Sequence, residues 1–341
     1  MKAEVKTRIK HHTLGVNPVF RLLILPSVFC LLTLGASQQA GAQAFPSKNI
    51  QMIVPYTAGG SIDLFSRALA QRLTTTWGRN VVVDNRPGAS GMIGTEVFAK
   101  MEPDGHALLG HTSSYPATAS VRAKLPFDPA RAIVPVATLA RAPMLLAVHP
   151  SVPAKSIKEL IAVAKRTPGG LNYGSSGAGG NNHFSGSLFA AAAGIKMTHV
   201  PYKGISMATT ALASGEIEIV IASAAALMPQ VKAGRVRALG ATSLKPSALL
   251  PGLPAIAQSG VPGYSYELWW GTFAPAGITA ERLGVINAAI NKILVSEDMK
   301  KFFANEGAEP WPQTPQQLDG FLVKEIERYR KAAKIAGIEP Q

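Results

Sequence analysis

The chain of 341 residues carries 34 Lys and Arg residues against 20 Asp and Glu residues, which gives a formal net charge of +14. It has one cysteine, Cys30, so a disulfide framework and a zinc site built from cysteines are both excluded. The basic residues are scattered and do not alternate with aromatic residues, so the charge predicts attraction for anions rather than a nucleic-acid partner.

The first 44 residues are arranged like a secretory signal peptide. Five basic residues between Lys2 and Arg21 precede an apolar run of 13 residues, 22–34, and small residues follow up to Ala44. The run is too short to anchor the protein, because a helix that spans a bilayer needs about 20 residues. We therefore expect cleavage after Ala44, although the long basic segment leaves the true start codon open. Cleavage would leave residues 45–341 with a formal charge of +10, since five basic residues and one acidic residue are lost.

Downstream of this leader, short strands alternate with helices, which is typical of α/β folds. The predicted strands are at 50–54, 81–84, 144–148, near Asn172, and at 216–222, 236–242 and 264–273. The predicted helices are at 61–76, 94–100, 156–166, 184–193, 207–214, 227–233, 280–295, 297–306 and 314–335. Repeated strand–helix–strand units favour mainly parallel sheets flanked by helices. The 297 residues after the leader exceed one average core, so we expect two domains.

Two glycine-rich loops each lie between a predicted strand and a predicted helix. They are 55–63, with the sequence PYTAGGSID, and 173–183, with the sequence YGSSGAGGNNH. Glycine lets a ligand approach the backbone, and the first turn of a helix offers unpaired N–H groups with a partial positive charge. Each loop therefore predicts a cradle for an anionic oxygen. The alternative for the first loop is a tight turn with Ser61 as N-cap, and Asp63 is expected to support the helix dipole.

Nucleotide and enzyme motifs are not met. The dinucleotide pattern would need glycine where Asn182 stands, and no lysine follows the last glycine of either loop, as a phosphate-binding loop requires. The sequence has no G-x-S-x-G and no H-E-x-x-H motif. His183 follows the second loop, where it either contacts a ligand or packs against its helix. Since no nucleophile, base and orienting group can be named together, we expect no catalytic residue, metal or cofactor.

Seven segments taken together resemble one known family. They are 55–63, 84–89 (DNRPGA), 91–94 (GMIG), 103–105 (PDG), 175–183, 200–204 (VPYKG) and 274–277 (APAG). They are similar to the substrate-binding proteins of tripartite tricarboxylate transporters, also called the Bug family, over essentially the whole chain after the leader. The resemblance implies a periplasmic α/β protein of the two-lobed Venus flytrap type (type II). Lobe 1 would comprise 45–146 and 270–341, and lobe 2 would comprise 147–269, joined by crossing strands.

The resemblance also implies where a ligand would bind. The first loop would grip a carboxylate through its main-chain N–H groups, the second loop would supply the opposing lobe, and two hydroxyls after the strand near Gly110 would add donors. The implied ligand-binding set is Tyr56, Thr57, Ala58, Gly59, Gly60, Ser61, Thr112, Ser113, Ser175, Ser176, Gly179, Gly180, Asn181, His183, Tyr202, Ala222 and Ser223.

Three departures from the family pattern bear on specificity. Gly180 replaces a hydroxyl residue, Ala222, followed by Ser223, replaces an aspartate, and Ser187 replaces a glutamate. Without the aspartate, a ligand amine or hydroxyl would lose its partner. We therefore predict an acid without such a group, or an aromatic acid.

The function implied is capture of a small organic carboxylate, either a di- or tricarboxylate or an aromatic acid. The partners would be the membrane permease subunits of a tripartite transporter, with no nucleic acid, and the chain would act as a monomer and not as an enzyme. Two alternatives stay open: a sensor subunit that signals to a histidine kinase, and a periplasmic enzyme that acts on carboxylates. The excess of basic residues is either an attraction for such anions or a solvated surface without functional meaning.

Overall fold

The computed structural model describes residues 45–340, so the predicted signal peptide lies outside the described residues. The chain first forms β1 (Ile50–Val54), α1 (Ser61–Trp77), β2 (Val81–Asn85), α2 (Met92–Ala99), β3 (Ala107–Thr112), α3 (Ser114–Val121) and β4 (Ile133–Pro143). The middle part forms β5 (Leu145–Val148), α4 (Ile157–Arg166), β6 (Leu171–Ser175), α5 (Asn181–Ala193), β7 (Met197–Pro201), α6 (Ile205–Ser214), β8 (Ile219–Ala222), α7 (Ala224–Lys232) and β9 (Arg237–Ala241). The last part forms β10 (Glu267–Pro275), α8 (Ala280–Leu294), α9 (Glu297–Asn305), β11 (Glu309–Pro310), α10 (Pro315–Leu318) and α11 (Phe321–Ala336).

The strands form two sheets, one in each lobe. The first sheet has the order β11-β4-β10-β3-β1-β2, and the second has the order β7-β6-β8-β5-β9. In the first sheet β1 is parallel to β2 and β3, whereas β10 and β11 pair antiparallel with their neighbours. In the second sheet β6 is parallel to β7 and β8, whereas β5 is antiparallel to β8 and β9. The predicted two-lobed α/β fold is confirmed, but the sheets are mixed rather than mainly parallel.

The chain passes between the sheets at two adjacent crossings. Met144 separates β4 from β5, and Tyr266 precedes β10, which returns to the first sheet. Thr242 joins the two crossings: its hydroxyl accepts from Met144 N at 2.8 Å and donates to Tyr266 O at 2.6 Å. Main-chain bonds from Thr242 N to Met144 O and from Tyr266 N to Thr242 O complete the link. A narrow, cross-linked connection of this kind is suited to a hinge.

The chain passes from one sheet to the other slightly before each predicted lobe boundary. Leu145 already pairs with Ala222 in the second sheet, and Glu267 already pairs with Pro143 in the first. The division at 146/147 and 269/270 stays a prediction for the lobes as units.

Helix α1 shows why the local sequence folds as it does. Its buried face contains Ile62, Phe65, Leu69 and Leu73 at helical spacing, as predicted. Phe65 packs against Trp270 of β10, with ring centroids 4.7 Å apart. This packing fixes the first turn of α1 beside the crossing strands.

Other elements differ from the prediction for local reasons. The predicted helix at 314–335 is broken at Gly320, which has φ +64 and separates α10 from α11. Strand β7 and helix α3 were not predicted, because β7 is a partly exposed edge strand and α3 contains Pro116 among small residues. Strand β4 was also missed, since Pro135 lies inside it. Within residues 45–340 no helix is both long and apolar enough to span a membrane.

Candidate functional site

A cavity lies between the two sheets, beside the crossing strands. Its lining comes from both lobes and consists of hydroxyl, amide and apolar residues: Tyr56, Thr57, Gly60, Ser61, Ile62, Thr112, Ser114, Met144, Ser176, Asn181, Asn182, Ile205, Ala222, Ser223 and Leu268. The volume open to the centre of a water molecule is about 40 Å³. Because one water needs about 10 to 15 Å³ on this measure, the cavity has room for a slender molecule.

Five helices, α1, α3, α5, α6 and α7, begin at this lining. Ser61 and Ile62 open α1, Asn182 belongs to the first turn of α5, and Ser223 is the N-cap of α7. The first N–H groups of a helix have no intrahelical acceptor and carry partial positive charge. Among the described residues, the main-chain N–H groups of Ser61, Ile62 and Asn182 have no acceptor. The cavity therefore receives unpaired donors from both lobes.

The first glycine-rich loop is held from behind by Asp63. The Asp63 carboxylate accepts from Gly59 N at 3.0 Å, from Arg67 Nε at 3.0 Å and from Asn85 Nδ2 at 3.0 Å. Partial burial acts to raise the pKa of Asp63, but these hydrogen bonds and the Arg67 charge hold it below its usual value. Ala58 and Gly59 are exposed and do not line the cavity. In this structure the Gly59 N–H donates to Asp63, so the expectation that this N–H faces a ligand stays a prediction.

The second glycine-rich loop is also satisfied internally. Gly177 N donates to Ser175 Oγ at 3.1 Å, Gly179 N donates to His183 Nδ1 at 3.1 Å, and Gly180 N donates to Gly177 O at 3.2 Å. The loop amides expected to meet a ligand are therefore engaged here as well. The unpaired donors lie one step further on, in the first turn of α5.

A pair of stacked histidines lies behind the second loop. The rings of His183 and His199 are 3.9 Å apart at 14°, and His199 Nε2 lies 2.6 Å from Ser175 Oγ. Burial lowers the pKa of His183 to about 4, and burial together with His183 lowers that of His199 to about 3. His183 thus supports the loop from behind and does not line the cavity.

The hydroxyl groups of the lining are ordered by their neighbours. Ser61 Oγ accepts from Trp270 Nε1 at 3.0 Å, so its own hydrogen is available to the cavity. Ser114 Oγ accepts from Asn181 N at 3.0 Å and lies 3.6 Å from the position that a Cβ on Gly180 would occupy. Ser114 therefore places a hydroxyl group from the opposite lobe near the position that the side chain of a serine or threonine at residue 180 would occupy.

Among residues 45–340 no acidic or basic side chain belongs to the lining. It contains five apolar residues: Ile62, Met144, Ile205, Ala222 and Leu268. Of these five, only Ala222 belonged to the predicted ligand-binding set. The others were missed because apolar residues in the first turn of a helix or in a crossing strand look like core residues in a sequence. Their position after the two loops and at the sheet crossings was the available signal.

The structure brings together nine of the predicted site residues around the cavity: Tyr56, Thr57, Gly60, Ser61, Thr112, Ser176, Asn181, Ala222 and Ser223. The other eight do not line it: Ala58, Gly59, Ser113, Ser175, Gly179, Gly180, His183 and Tyr202. Tyr202 donates to Glu216 Oε1 at 2.8 Å instead. Ser187, the third departure from the family pattern, bonds Tyr173 OH at 2.8 Å and also lies outside the lining.

The lobes touch each other across the cavity. Thr57 Oγ1 lies 2.9 Å from Ser206 Oγ, and Ser90 Oγ donates to Ala178 O at 2.8 Å. Ser90 has φ +55, a conformation that non-glycine residues rarely adopt. These contacts give the molecule a closed conformation.

Two lobes joined by a narrow hinge, with a cavity between them lined from both sides, define a two-lobed solute-binding protein. The model of the tripartite tricarboxylate transporter family receptor, TctC, matches residues 65–338. The chain belongs to this receptor family, as its sequence segments predicted.

Relatives cover nearly the whole chain. Protein BugT of Bordetella pertussis is 33% identical over 319 residues, which span 93% of this chain and 98% of BugT. Among solved structures, R. palustris Rpa4515 with adipate has a TM-score of 0.84 at 36% identity and covers 87% of this chain and all of that one. MatC of Rhodopseudomonas palustris, with bound malate, has a TM-score of 0.79 at 26% identity and covers 84% of this chain and 99% of MatC.

Proposed function

We propose that this protein is a periplasmic receptor that captures a small organic carboxylate and delivers it to the membrane subunits of a tripartite transporter. One observation carries the proposal: helices of both lobes begin at a shared cavity that has unpaired N–H donors and no charged side chain. Helix N-termini stabilise anions without a counter-charge. Two related structures, one with adipate and one with bound malate, support the same class of ligand.

The donors on the two lobes would each hold one part of the ligand. Lobe 1 would bind a carboxylate through the N–H groups of Ser61 and Ile62 and the hydroxyl of Ser61, and lobe 2 would add the N–H of Asn182. Charge-assisted hydrogen bonds contribute about 1.5 to 3 kcal/mol each. A few of them suffice for micromolar affinity, which corresponds to about −8 kcal/mol.

The apolar residues would pack against the body of the ligand. Met144 and Leu268 come from the crossing strands, and Ile205 begins α6. Each buried methylene group adds about 0.8 kcal/mol. With Ala222 at the end of β8, no carboxylate is present in the lining to accept a bond from a ligand amine or hydroxyl. We infer a preference for unsubstituted acids, and the small volume favours an aliphatic chain over an aromatic ring.

Delivery would depend on closure about the hinge. The ligand would bind the open form on one lobe, and closure would add the donors of the other lobe together with the contacts of Thr57 with Ser206 and Ser90 with Ala178. Secretion through the predicted signal peptide would place the protein in the periplasm, where the permease subunits face it.

The test is to purify residues 45–341 and identify the copurifying molecule by mass spectrometry. Isothermal titration calorimetry then compares succinate, glutarate and adipate with malate and glutamate. We expect micromolar binding of at least one unsubstituted acid and at least tenfold weaker binding of its hydroxy or amino counterpart. Absence of binding by every carboxylate, or turnover of a bound acid, would contradict the proposal.

A further inference from the structure

One side chain of lobe 2 is bonded to several elements of lobe 1. Asn181, the first residue of α5, is 2% exposed, and its Oδ1 lies 3.1 Å from Ser113 Oγ, 2.9 Å from Tyr266 OH and 3.2 Å from Tyr329 OH. Its Nδ2 donates to Thr112 Oγ1 at 3.3 Å. These partners belong to the end of β3, the start of α3, the hinge and α11, so Asn181 joins α5 to three parts of lobe 1 and to the hinge.

These bonds leave the Asn181 amide little capacity for a ligand. Its oxygen has two lone pairs and three hydroxyls within bonding distance, and its main-chain N–H is taken by Ser114 Oγ. Asn181 nevertheless lines the cavity, and Asn182 beside it offers an unpaired N–H. The position of that donor therefore depends on where Asn181 holds the start of α5.

The third partner, Tyr329, lies outside the cavity lining. It is fully buried in α11, its hydroxyl is 3.1 Å from Tyr266 OH, and its ring packs on Phe184 with centroids 5.2 Å apart. The Arg328 guanidinium lies 4.4 Å from the centre of the same ring. Tyr329 thus links the C-terminal helix to the first turn of α5.

We propose that Asn181 is a positioning residue that, with the hydroxyls of Ser113, Tyr266 and Tyr329, fixes the N-terminus of α5 for carboxylate binding and sets how long the closed form lasts. This inference rests on the proposed function and adds to it a role for α11. It departs from the sequence-based expectation that Asn181 binds the ligand directly.

The informative variant is Tyr329→Phe, which removes one hydroxyl outside the cavity and keeps the ring. Stopped-flow measurements with the tightest unsubstituted acid of the calorimetry panel should show a dissociation rate about three- to tenfold faster, with the association rate nearly unchanged. The matched control is Tyr264→Phe. Its buried hydroxyl donates to Ser185 O at 3.0 Å, further along the same helix, so its loss should lower stability without changing the dissociation rate.

A double-mutant cycle provides a second measurement. Asn181→Ala alone should weaken binding more than Tyr329→Phe, and the tyrosine change should add little once the amide is absent. If the Asn181→Ala variant does not fold, the comparison of Tyr329→Phe with Tyr264→Phe still tests the inference. Dissociation from Tyr329→Phe at the wild-type rate, or an equal effect of Tyr264→Phe, would overturn the inference alone. If the wild-type chain bound no carboxylate, that result would contradict the proposed function as well as this inference.

Discussion

At the scale of single residues, the absence of charged side chains from the cavity is the feature that most constrains the ligand. A receptor for an anion needs no lysine or arginine when unpaired N–H groups at helix N-termini provide the positive potential. Such donors recognise carboxylates in general, so selectivity must come from the residues between them. Among these residues, Ala222 has the clearest expected effect on selectivity.

Ala222→Asp would place a carboxylate in the lining. Repulsion between like charges about 4 Å apart is worth about 4 kcal/mol near a protein surface, so affinity for an unsubstituted acid should fall at least about 100-fold. Ala222→Asn is the control of equal size without charge, and it should lose much less. Calorimetry distinguishes the two, and tighter binding of the unsubstituted acid by the aspartate variant would show that the inferred preference is wrong.

Two buried histidines and one partly buried histidine predict a dependence of stability on pH. The pKa values of His111, His183 and His199 are lowered to about 3, about 4 and about 3, chiefly by burial. In the unfolded chain they take up protons near pH 6.5, so their contribution to stability is complete above that pH and is lost as the pH falls toward 4.

Thermal unfolding at pH 7.5, 6 and 5 should therefore show a melting temperature that decreases by several degrees over this range. Replacing His199 by Gln, which cannot be protonated, should reduce the slope. A melting temperature that rises on acidification in the wild-type chain, with the same slope in His199→Gln, would count against neutral buried histidines.

At the scale of elements, the loops position the helices, and the proposed ligand contacts lie in the first helical turns. The amides of Gly59, Gly177 and Gly179 are bonded to Asp63, Ser175 and His183. The glycines are needed for their positive φ values and for close approach between the lobes. A Cβ on Gly204 would clash with Thr57 Oγ1 of the opposite lobe.

Gly204→Ala should therefore hinder closure without straining the backbone, because φ at this position is −178 and suits any residue. We expect affinity for the carboxylate to fall about three- to tenfold, since Thr57 must move to admit the methyl group. Gly284→Ala in α8, where a Cβ would meet no atom within 4 Å, is the control and should bind as the wild type does. Equal affinity of both variants would show that the contact near Thr57 does not govern closure.

The sequence predicted most of the elements, because apolar spacing and glycine or proline stops mark them directly. Helix α1 and strand β1 follow from Ile62, Phe65 and the run 50–54 alone. The donors of the site were predicted less well. Whether the Gly59 amide faces a ligand or Asp63 depends on a hydrogen bond, and no spacing in the sequence encodes it. Met144 and Leu268 line the cavity because they lie where the chain passes between the two sheets, a position that the sequence pattern does not show.

At the scale of the whole molecule, the hinge, the contacts between the lobes and the cavity form one system. Thr242 joins the two crossings, Ser90 and Thr57 contact the opposite lobe, and Asn181 links α5 to the hinge. Closure therefore changes the cavity and the contacts between the lobes together. A ligand that bonds both lobes stabilises the closed form by its additional contacts there.

The central claim is that N–H groups at the helix N-termini of opposed lobes hold one anion. Gly60→Val tests it, because the backbone is extended at this N-cap and accepts valine, whereas its methyl groups would enter the space beside Ile205. Ala58→Val in the exposed part of the same loop is the control. In calorimetry with the tightest unsubstituted acid, we predict that Gly60→Val binds at least tenfold more weakly and that Ala58→Val binds as the wild type does. Unchanged affinity of a folded Gly60→Val variant would contradict the account.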